Sequence, residues 1–144
     1  MARIMGIDYG KKRIGIAVTD PLQIAANALT TVSPNEIFPF LEKYLSENQV
    51  DCIVVGYARQ MNGNDSESMK WTIPFVEKLK KTFSSMKIEF ADERFTSKLA
   101  HQTMLSAGLK RKDRQNKELV DRISATIILQ DYLENKRINI APIF

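Results

Sequence analysis

Carboxylates at three separate points of the sequence are the side chains whose positions indicate chemistry. Asp8 lies inside an apolar stretch, and Asp92 and Glu93 end another. Asp121 lies near the start of the last predicted helix. Carboxylates that converge on one edge of an α/β sheet repel each other, and a bound cation is the usual remedy. For Asp121 alone, a favourable interaction with the helix dipole is an equally simple explanation.

Other catalytic side chains are scarce. The chain has one histidine, His101, and one cysteine, Cys52, which lies in an apolar run typical of a buried strand. Zinc sites, an intramolecular disulfide and Ser-His or Cys-His nucleophiles therefore lack the residues that would build them. A metal site would consist of carboxylates, which favour hard ions such as Mg²⁺ or Mn²⁺.

Asp8 lies in a β-hairpin predicted over residues 3–18, in which a turn at 10–12 joins two apolar runs. Side chains alternate in direction along a strand, so Gly6, Asp8 and Gly10 share one face. We interpret the two glycines as space that lets a ligand approach the carboxylate. The alternative is that Asp8 caps a turn and that the glycines only serve the hairpin.

The rest of the chain alternates between strand and helix patterns. The predicted elements are, in chain order, a strand over 27–32, a helix capped at Ser33 with Pro34 as its first residue, a strand over 50–56, a helix interrupted by Pro74, a strand over 87–91, a helix ending at Gly108 and a helix over 117–135. Pro74 either kinks its helix or makes it restart near Thr72.

The last helix is the one that carries Asp121. Its apolar spacing predicts a buried stripe made of Val120, Ile123, Ile127 and Leu133. The tail from Ile138 onward is predicted to have little regular structure.

The bulk composition fits one globular domain spanning residues 1–144, with 44% hydrophobic residues available for a core. The sequence has no apolar run long enough to span a membrane, and its N-terminus lacks the apolar region of a signal peptide. We therefore expect a soluble, cytoplasmic protein.

The net charge of +4 is concentrated in one segment, residues 110–117, which carries five basic side chains against one aspartate. The basic residues are Lys110, Arg111, Lys112, Arg114 and Lys117. A cluster that holds the whole charge excess favours a polyanionic partner, and a solvated loop is the alternative.

Four stretches closely resemble the YqgF/RuvX family, and the resemblance covers nearly the whole chain. They are Gly-Ile-Asp-Tyr-Gly-Lys-Lys-Arg-Ile-Gly-Ile-Ala from Gly6, Val-Val-Gly-Tyr-Ala-Arg-Gln-Met-Asn-Gly from Val54, Asp-Glu-Arg-Phe-Thr-Ser from Asp92 and Val-Asp-Arg-Ile-Ser-Ala from Val120. The resemblance implies a ribonuclease H-like α/β fold, with a mixed five-stranded sheet flanked by helices. It also implies a nuclease, since the family is described both as a candidate Holliday junction resolvase and as the nuclease that matures the 5′ end of pre-16S rRNA.

The same resemblance implies roles for the acids in two-metal phosphodiester hydrolysis. Asp8 would bridge two Mg²⁺ or Mn²⁺ ions, and Glu93 and Asp121 would hold one each. Arg94 and the cluster at 110–117 would bind flanking phosphates of an rRNA precursor or branched DNA without reading sequence. The oligomeric state, monomer or homodimer, stays open.

The end of the central strand departs from resolvase-type relatives, which have a catalytic glutamate there. This chain has Gly56 and Tyr57 instead, so the middle acid would come from Asp92 or Glu93. Strand alternation places these two on opposite faces. We favour Glu93, because Asp92 shares a face with the apolar side chains of its strand.

Two other functions fit the sequence. A non-catalytic RNA-binding factor in ribosome assembly would need the fold and the basic cluster without the chemistry. The first hairpin also resembles the phosphate loop of actin-like sugar kinases and ATPases. Those proteins close two domains around a nucleotide, and a chain of this length offers half of such a cleft.

Salt dependence separates a phosphate-binding cluster from a solvated loop. Each lost phosphate contact lowers the slope of log affinity against log salt by about one unit, whatever the sequence of the nucleic acid. Replacing Lys110, Arg111 and Lys112 by Ala should therefore weaken binding and flatten this slope, with far less effect on turnover at saturating substrate. An unaltered slope in binding titrations would establish the solvated loop.

Overall fold

A mixed sheet of five strands in the order β3-β2-β1-β4-β5 organises the chain. The computed structural model describes residues 2–57, 69–92 and 117–140. The strands are β1 (Arg3–Tyr9), β2 (Ile14–Thr19), β3 (Ala26–Val32), β4 (Val50–Tyr57) and β5 (Lys87–Asp92), and the helices are α1 (Ile37–Glu47), α2 (Met69–Thr82) and α3 (Lys117–Ile140). Strands β1, β2 and β3 pair antiparallel, whereas β4 is parallel to both β1 and β5. The predicted mixed five-stranded sheet with flanking helices is confirmed.

Strand β1 lies in the middle of the sheet, as its continuous apolar sequence predicts. Met5 and Ile7 lie on one face, in a buried cluster with side chains of α1 and α2. Ile4 and Gly6 lie on the opposite face, against α3. Helices therefore cover both faces of β1.

Helix α1 begins at Ile37, so the prediction that Pro34 is its first residue is wrong. The preceding residues form a turn in which the Glu36 backbone N–H donates to the Ser33 carbonyl over 3.0 Å. The Ser33 hydroxyl also donates to Glu36 Oε1 over 2.8 Å. Proline suits the second position of such a turn, which explains why Pro34 precedes the helix.

Helix α2 runs without interruption through Pro74, which excludes a restart near Thr72. Its buried side includes Phe75, Val76 and Leu79, which pack on the β1 face that carries Met5 and Ile7. The predicted helix that ends at Gly108 lies outside the described residues.

Helix α3 buries a different stripe from the predicted one. Its buried side chains are Ser124, Ala125, Ile128, Leu129 and Leu133. Ile123 and Ile127 are half-buried, so only Leu133 of the predicted stripe is confirmed, and the side chain of Val120 lies outside the described part. The helix extends to Ile140, so the prediction of an irregular tail is wrong for 138–140. Of the described helices, none has the length and apolar content needed to cross a membrane.

The reason for the shifted stripe is a close contact between α3 and β1. A Cβ atom placed on Gly6 would lie 2.9 Å from Leu129 Cβ and 3.1 Å from the Ala125 carbonyl oxygen. The helix backbone therefore reaches the strand only because residue 6 has no side chain and residue 125 has a small one. This corrects the interpretation of Gly6 as open space for a ligand.

Gly10 serves the hairpin, as the alternative interpretation proposed. A Cβ atom there would lie 2.5 Å from the Arg13 carbonyl oxygen, across the turn between β1 and β2. A side chain at this position would clash with backbone, which cannot move without changing the turn. The space on either side of Asp8 along β1 is thus used by the fold.

Adding one methyl group at Gly6 should destabilise the protein. Gly6→Ala should lower the free energy of unfolding by about 1 to 3 kcal/mol, the usual cost of overpacking a core. Chemical denaturation of this variant should be compared with the same change in a Leu129→Gly background, which removes one of the two clashing atoms, the Leu129 Cβ. The cost of Gly6→Ala should be smaller there, and an equal cost in both backgrounds would show that the helix does not press on residue 6.

A candidate active site at the end of β1

The partly exposed carboxylate of Asp8 lies near the end of β1, on the face that α3 covers. Asp8 pairs with Gly15 of β2. On the other side Ile7 pairs with Val55 of β4, so Gly56 follows beside Asp8. Neither cross-strand neighbour has a side chain that could cover the carboxylate. Glycines thus flank Asp8 across the strands, a placement that the sequence pattern of β1 alone does not reveal.

Gly56 lies near the end of β4, where the resemblance to resolvase-type relatives would lead one to expect a glutamate. It lies directly beside Asp8 in the sheet and pairs on its other side with Ala91 of β5. A glutamate at position 56 would therefore have stood next to Asp8. The glycine leaves this row of the sheet with Asp8 as its one acid, so further carboxylates must come from the ends of other elements.

The register of β5 bears on the choice between Asp92 and Glu93. Ala91 packs against the cluster beneath α3, on the Asp8 side of the sheet, whereas Ile88 packs on the opposite side. Strand alternation returns to the Asp8 side at position 93. The Asp92 side chain and all of Glu93 lie outside the described residues, so the choice of Glu93 stays a prediction that this register favours.

Asp121 belongs to the first part of α3, and its side chain lies outside the described part of the chain. The Ala125 carbonyl oxygen that approaches Gly6 is one helical turn further along. Asp8 is two residues beyond Gly6, so each acid is about 5 to 7 Å along its own element from the contact between helix and strand. The close packing of α3 on β1 thus brings the backbone near Asp121 close to the backbone near Asp8.

A hydrogen bond connects the two elements that lead to the other candidate acids. The Tyr132 hydroxyl of α3 donates to Glu89 Oε2 of β5. Burial, together with this bond, raises the pKa of Tyr132 above its usual value. Lys87 Nζ lies 3.2 Å from Glu89 Oε1, so the carboxylate is held from two sides. Glu89 therefore has a structural role and is not a candidate for catalysis.

Tyr9 follows Asp8 but lies on the other side of the sheet. Its ring stacks on Phe75 of α2, with ring centroids 4.2 Å apart. Burial raises the pKa of the Tyr9 hydroxyl above its usual value. Tyr9 therefore contributes packing and takes no part in the carboxylate site.

The site is incomplete within the described residues. Their His, Cys, Asp and Glu side chains form no group of three that could hold a metal ion. Arg94, Lys110, Arg111, Lys112 and Arg114 lie outside them, as does the side chain of Lys117. Asp8 and its glycine neighbours are the part of the predicted site that the structure places.

Comparison with known proteins identifies the family. Residues 2–135 match the family described as "RuvX: Holliday junction resolvase". The chain belongs to the RuvX family. Relatives named "Putative pre-16S rRNA nuclease" include one from Phocaeicola vulgatus, 58% identical over 95% of this chain and 99% of the relative. Another, from Bacteroides fragilis, is 59% identical over 96% of this chain and 100% of the relative.

Solved structures show the fold of this RuvX protein. Thermus thermophilus RuvC in complex with a Holliday junction aligns with a TM-score of 0.56 at 16% identity, over 98% of both chains. The fowlpox virus resolvase in complex with Holliday junction DNA aligns with a TM-score of 0.55 at 13% identity, over 93% of this chain and 98% of the other. The ribonuclease H-like fold predicted from the sequence motifs is confirmed.

The register of β5 makes a testable distinction between Asp92, its last residue, and Glu93, the residue that follows. Glu93→Gln should lose activity as severely as removal of the Asp8 charge, because strand alternation carried one residue beyond β5 would put position 93 on the Asp8 side of the sheet. Asp92→Asn should retain most of the activity and act mainly through local structure. Single-turnover cleavage with both variants at matched metal concentration measures the difference, and the opposite ranking would show that the alternation breaks after Asp92.

Proposed function

We propose that this RuvX protein is a metal-dependent nuclease that hydrolyses phosphodiester bonds at the end of β1. The observation that carries the proposal is the placement of Asp8 between two glycines of neighbouring strands. A carboxylate at this edge of an α/β sheet lies where such folds place their sites. Relatives that share more than half of its residues are named as nucleases, which supports the same chemistry here.

Two substrates have support, and the precursor of 16S rRNA has more. Relatives at 58% and 59% identity are named for pre-16S rRNA, so we propose that the chain processes the 5′ end of this precursor. The family description favours branched DNA as the second candidate. Both are polyanions, as the basic segment at 110–117 predicts.

The residues present suit a hard divalent ion. Asp8 lies between two glycines of the neighbouring strands, and Glu93 and Asp121 would complete an all-oxygen set of ligands for Mg²⁺ or Mn²⁺. When bound, such ions neutralise developing charge at the scissile phosphate. We propose these three acids as the metal-binding and catalytic residues.

The remaining roles concern the position of the substrate. Arg94 would hold the phosphate next to the scissile bond, because it directly follows Glu93 in the sequence. The cluster of Lys110, Arg111, Lys112, Arg114 and Lys117 would bind phosphates further along the strand and leads into the helix that carries Asp121. Such contacts fix the register of the substrate and carry no sequence information.

Removing the charge of Asp8 tests the proposal. Asp8→Asn should lower the rate of Mg²⁺- or Mn²⁺-dependent cleavage by more than about a hundredfold, since even the partners of metal ligands typically contribute about 10- to 100-fold. Its metal-free melting temperature should stay level or rise, because one charge leaves a group of acids. Binding of the nucleic acid without metal should persist.

Asp51→Asn provides a matched control for this variant. Asp51 is an exposed acid at the beginning of β4, at the opposite end of the sheet from Gly56. Its Oδ2 accepts a hydrogen bond from Gln23 Nε2 over 3.2 Å, which the asparagine oxygen can still accept. Cleavage should be unchanged in this variant. If wild-type protein binds both precursor rRNA and four-way junctions and cleaves neither, the chain is the non-catalytic assembly factor.

A further inference from the structure

A cavity of about 420 Å³ lies on the side of the sheet that faces away from Asp8. It opens between the end of β1, the start of α1 and the first turns of α2. We call it the Trp71 pocket, and the lining residues that matter are Tyr9, Phe38, Lys70, Trp71, Phe75 and Lys78. Its volume lies in the range of about 300 to 1,000 Å³ that is typical of small-molecule sites.

The walls of the pocket are aromatic and held in place. Phe75 stacks on Tyr9 at 4.2 Å and meets the edge of Phe38, with ring centroids 5.8 Å apart and planes at 65°. Trp71 and Phe75 are four residues apart on α2, so both project from one side of the helix. Aromatic faces of this kind can stack a planar ring, because their geometry is fixed before a ligand arrives.

The rim of the pocket is positively charged. Lys78 Nζ lies 4.5 Å from the centroid of the Phe38 ring, and Lys11 Nζ lies 5.8 Å from that of Trp71. Lys70 also lines the opening, and all three lysines are exposed. The ammonium groups of Lys11 and Lys78 therefore lie over ring faces and within reach of solvent, and a base that stacks there would displace them toward its phosphate. A ligand with a planar ring and a nearby negative charge would match both features.

The pocket and Asp8 are connected through the first hairpin. Asp8 and Tyr9 are consecutive residues whose side chains lie on opposite sides of the sheet. Lys11 follows in the turn and reaches the Trp71 ring on the far side. A strand that leaves the Asp8 site over this turn would pass directly to the pocket.

We propose that the Trp71 pocket binds an unpaired nucleotide of the substrate, with its base stacked on the aromatic walls and its phosphate at Lys70 and Lys78. This rests on the proposed nuclease function and narrows its substrate class. A paired base cannot leave its duplex without a cost, so the pocket favours substrates with a single-stranded segment beside the scissile bond. The unpaired end of an RNA precursor meets this requirement, whereas a fully paired junction does not.

The pocket contains its own spectroscopic probe, because Trp71 is the only tryptophan in the chain. A short single-stranded RNA should quench its fluorescence when the protein is saturated, with saturation established by anisotropy of a fluorescein label on the RNA. A blunt-ended duplex of the same base composition should bind with much less quenching. Unchanged emission with saturating single strand would overturn the proposal.

Two lysines of α2 give a matched pair of variants. Lys78 lines the pocket, whereas Lys80 is also exposed on the same helix and does not line it. Lys78→Ala should weaken single-strand binding and lower its salt slope by about 0.7, the value for one contact to a single strand. Lys80→Ala should leave both unchanged. Equal effects of the two variants would show general attraction to the helix, which contradicts a specific pocket.

The contribution of base stacking to binding is tested by changing Trp71 in the protein and by removing single bases from the strand. Trp71→Ala should weaken single-strand binding on the order of tenfold, and Trp71→Phe should retain most of the affinity. Since Trp71→Ala can also disturb folding, wild-type protein should be titrated with strands that carry one abasic nucleotide at successive positions. One abasic position should abolish quenching. If every position leaves quenching intact, no base stacks on Trp71.

Cleavage assays keep this inference separate from the nuclease proposal. Quenching with no cleavage of any substrate would retain the pocket and reject the nuclease. Cleavage that depends on Asp8, with no change in Trp71 emission, would retain the nuclease and reject the pocket.

Discussion

The contact between α3 and β1 at Gly6 is the constraint on which the candidate site depends. The helix lies so close that a single methyl group at residue 6 would meet both Leu129 and the Ala125 backbone. This contact contains no functional group. It nevertheless fixes how close the backbone of α3, one turn beyond Asp121, lies to β1, two residues before Asp8. The approach of the two backbones that carry these acids is therefore set by the packing of small residues in the core.

Alternation along β1 divides the end of the strand into two surfaces. Asp8 faces the α3 side, where it lies between glycines of the neighbouring strands. Tyr9 faces the α1 and α2 side, where it stacks on Phe75. A single peptide unit thus separates the proposed chemistry from the proposed binding of a base. A one-residue shift in the register of β1 would exchange the two surfaces.

The sequence predicted the strands and the importance of Asp8, because a charge within a central apolar strand is conspicuous. It could not show that α3 fills the space at Gly6, since that depends on the approach of a helix more than a hundred residues away. Apolar periodicity selected Ile123 and Ile127 as buried, whereas close packing favoured Ser124 and Ala125. The Trp71 pocket was missed because its aromatic residues come from three separate elements, and each is typical of an ordinary core.

The hydrogen bond between Tyr132 and Glu89 has a mechanical consequence. It joins α3 to β5, so the two elements that lead to Asp121 and Glu93 cannot slide past each other without breaking it. The raised pKa of Tyr132 keeps the proton on its hydroxyl into alkaline solution. The bond therefore limits the thermal motion of α3 relative to β5. Ions held between the ends of these elements would experience a nearly constant spacing of their ligands.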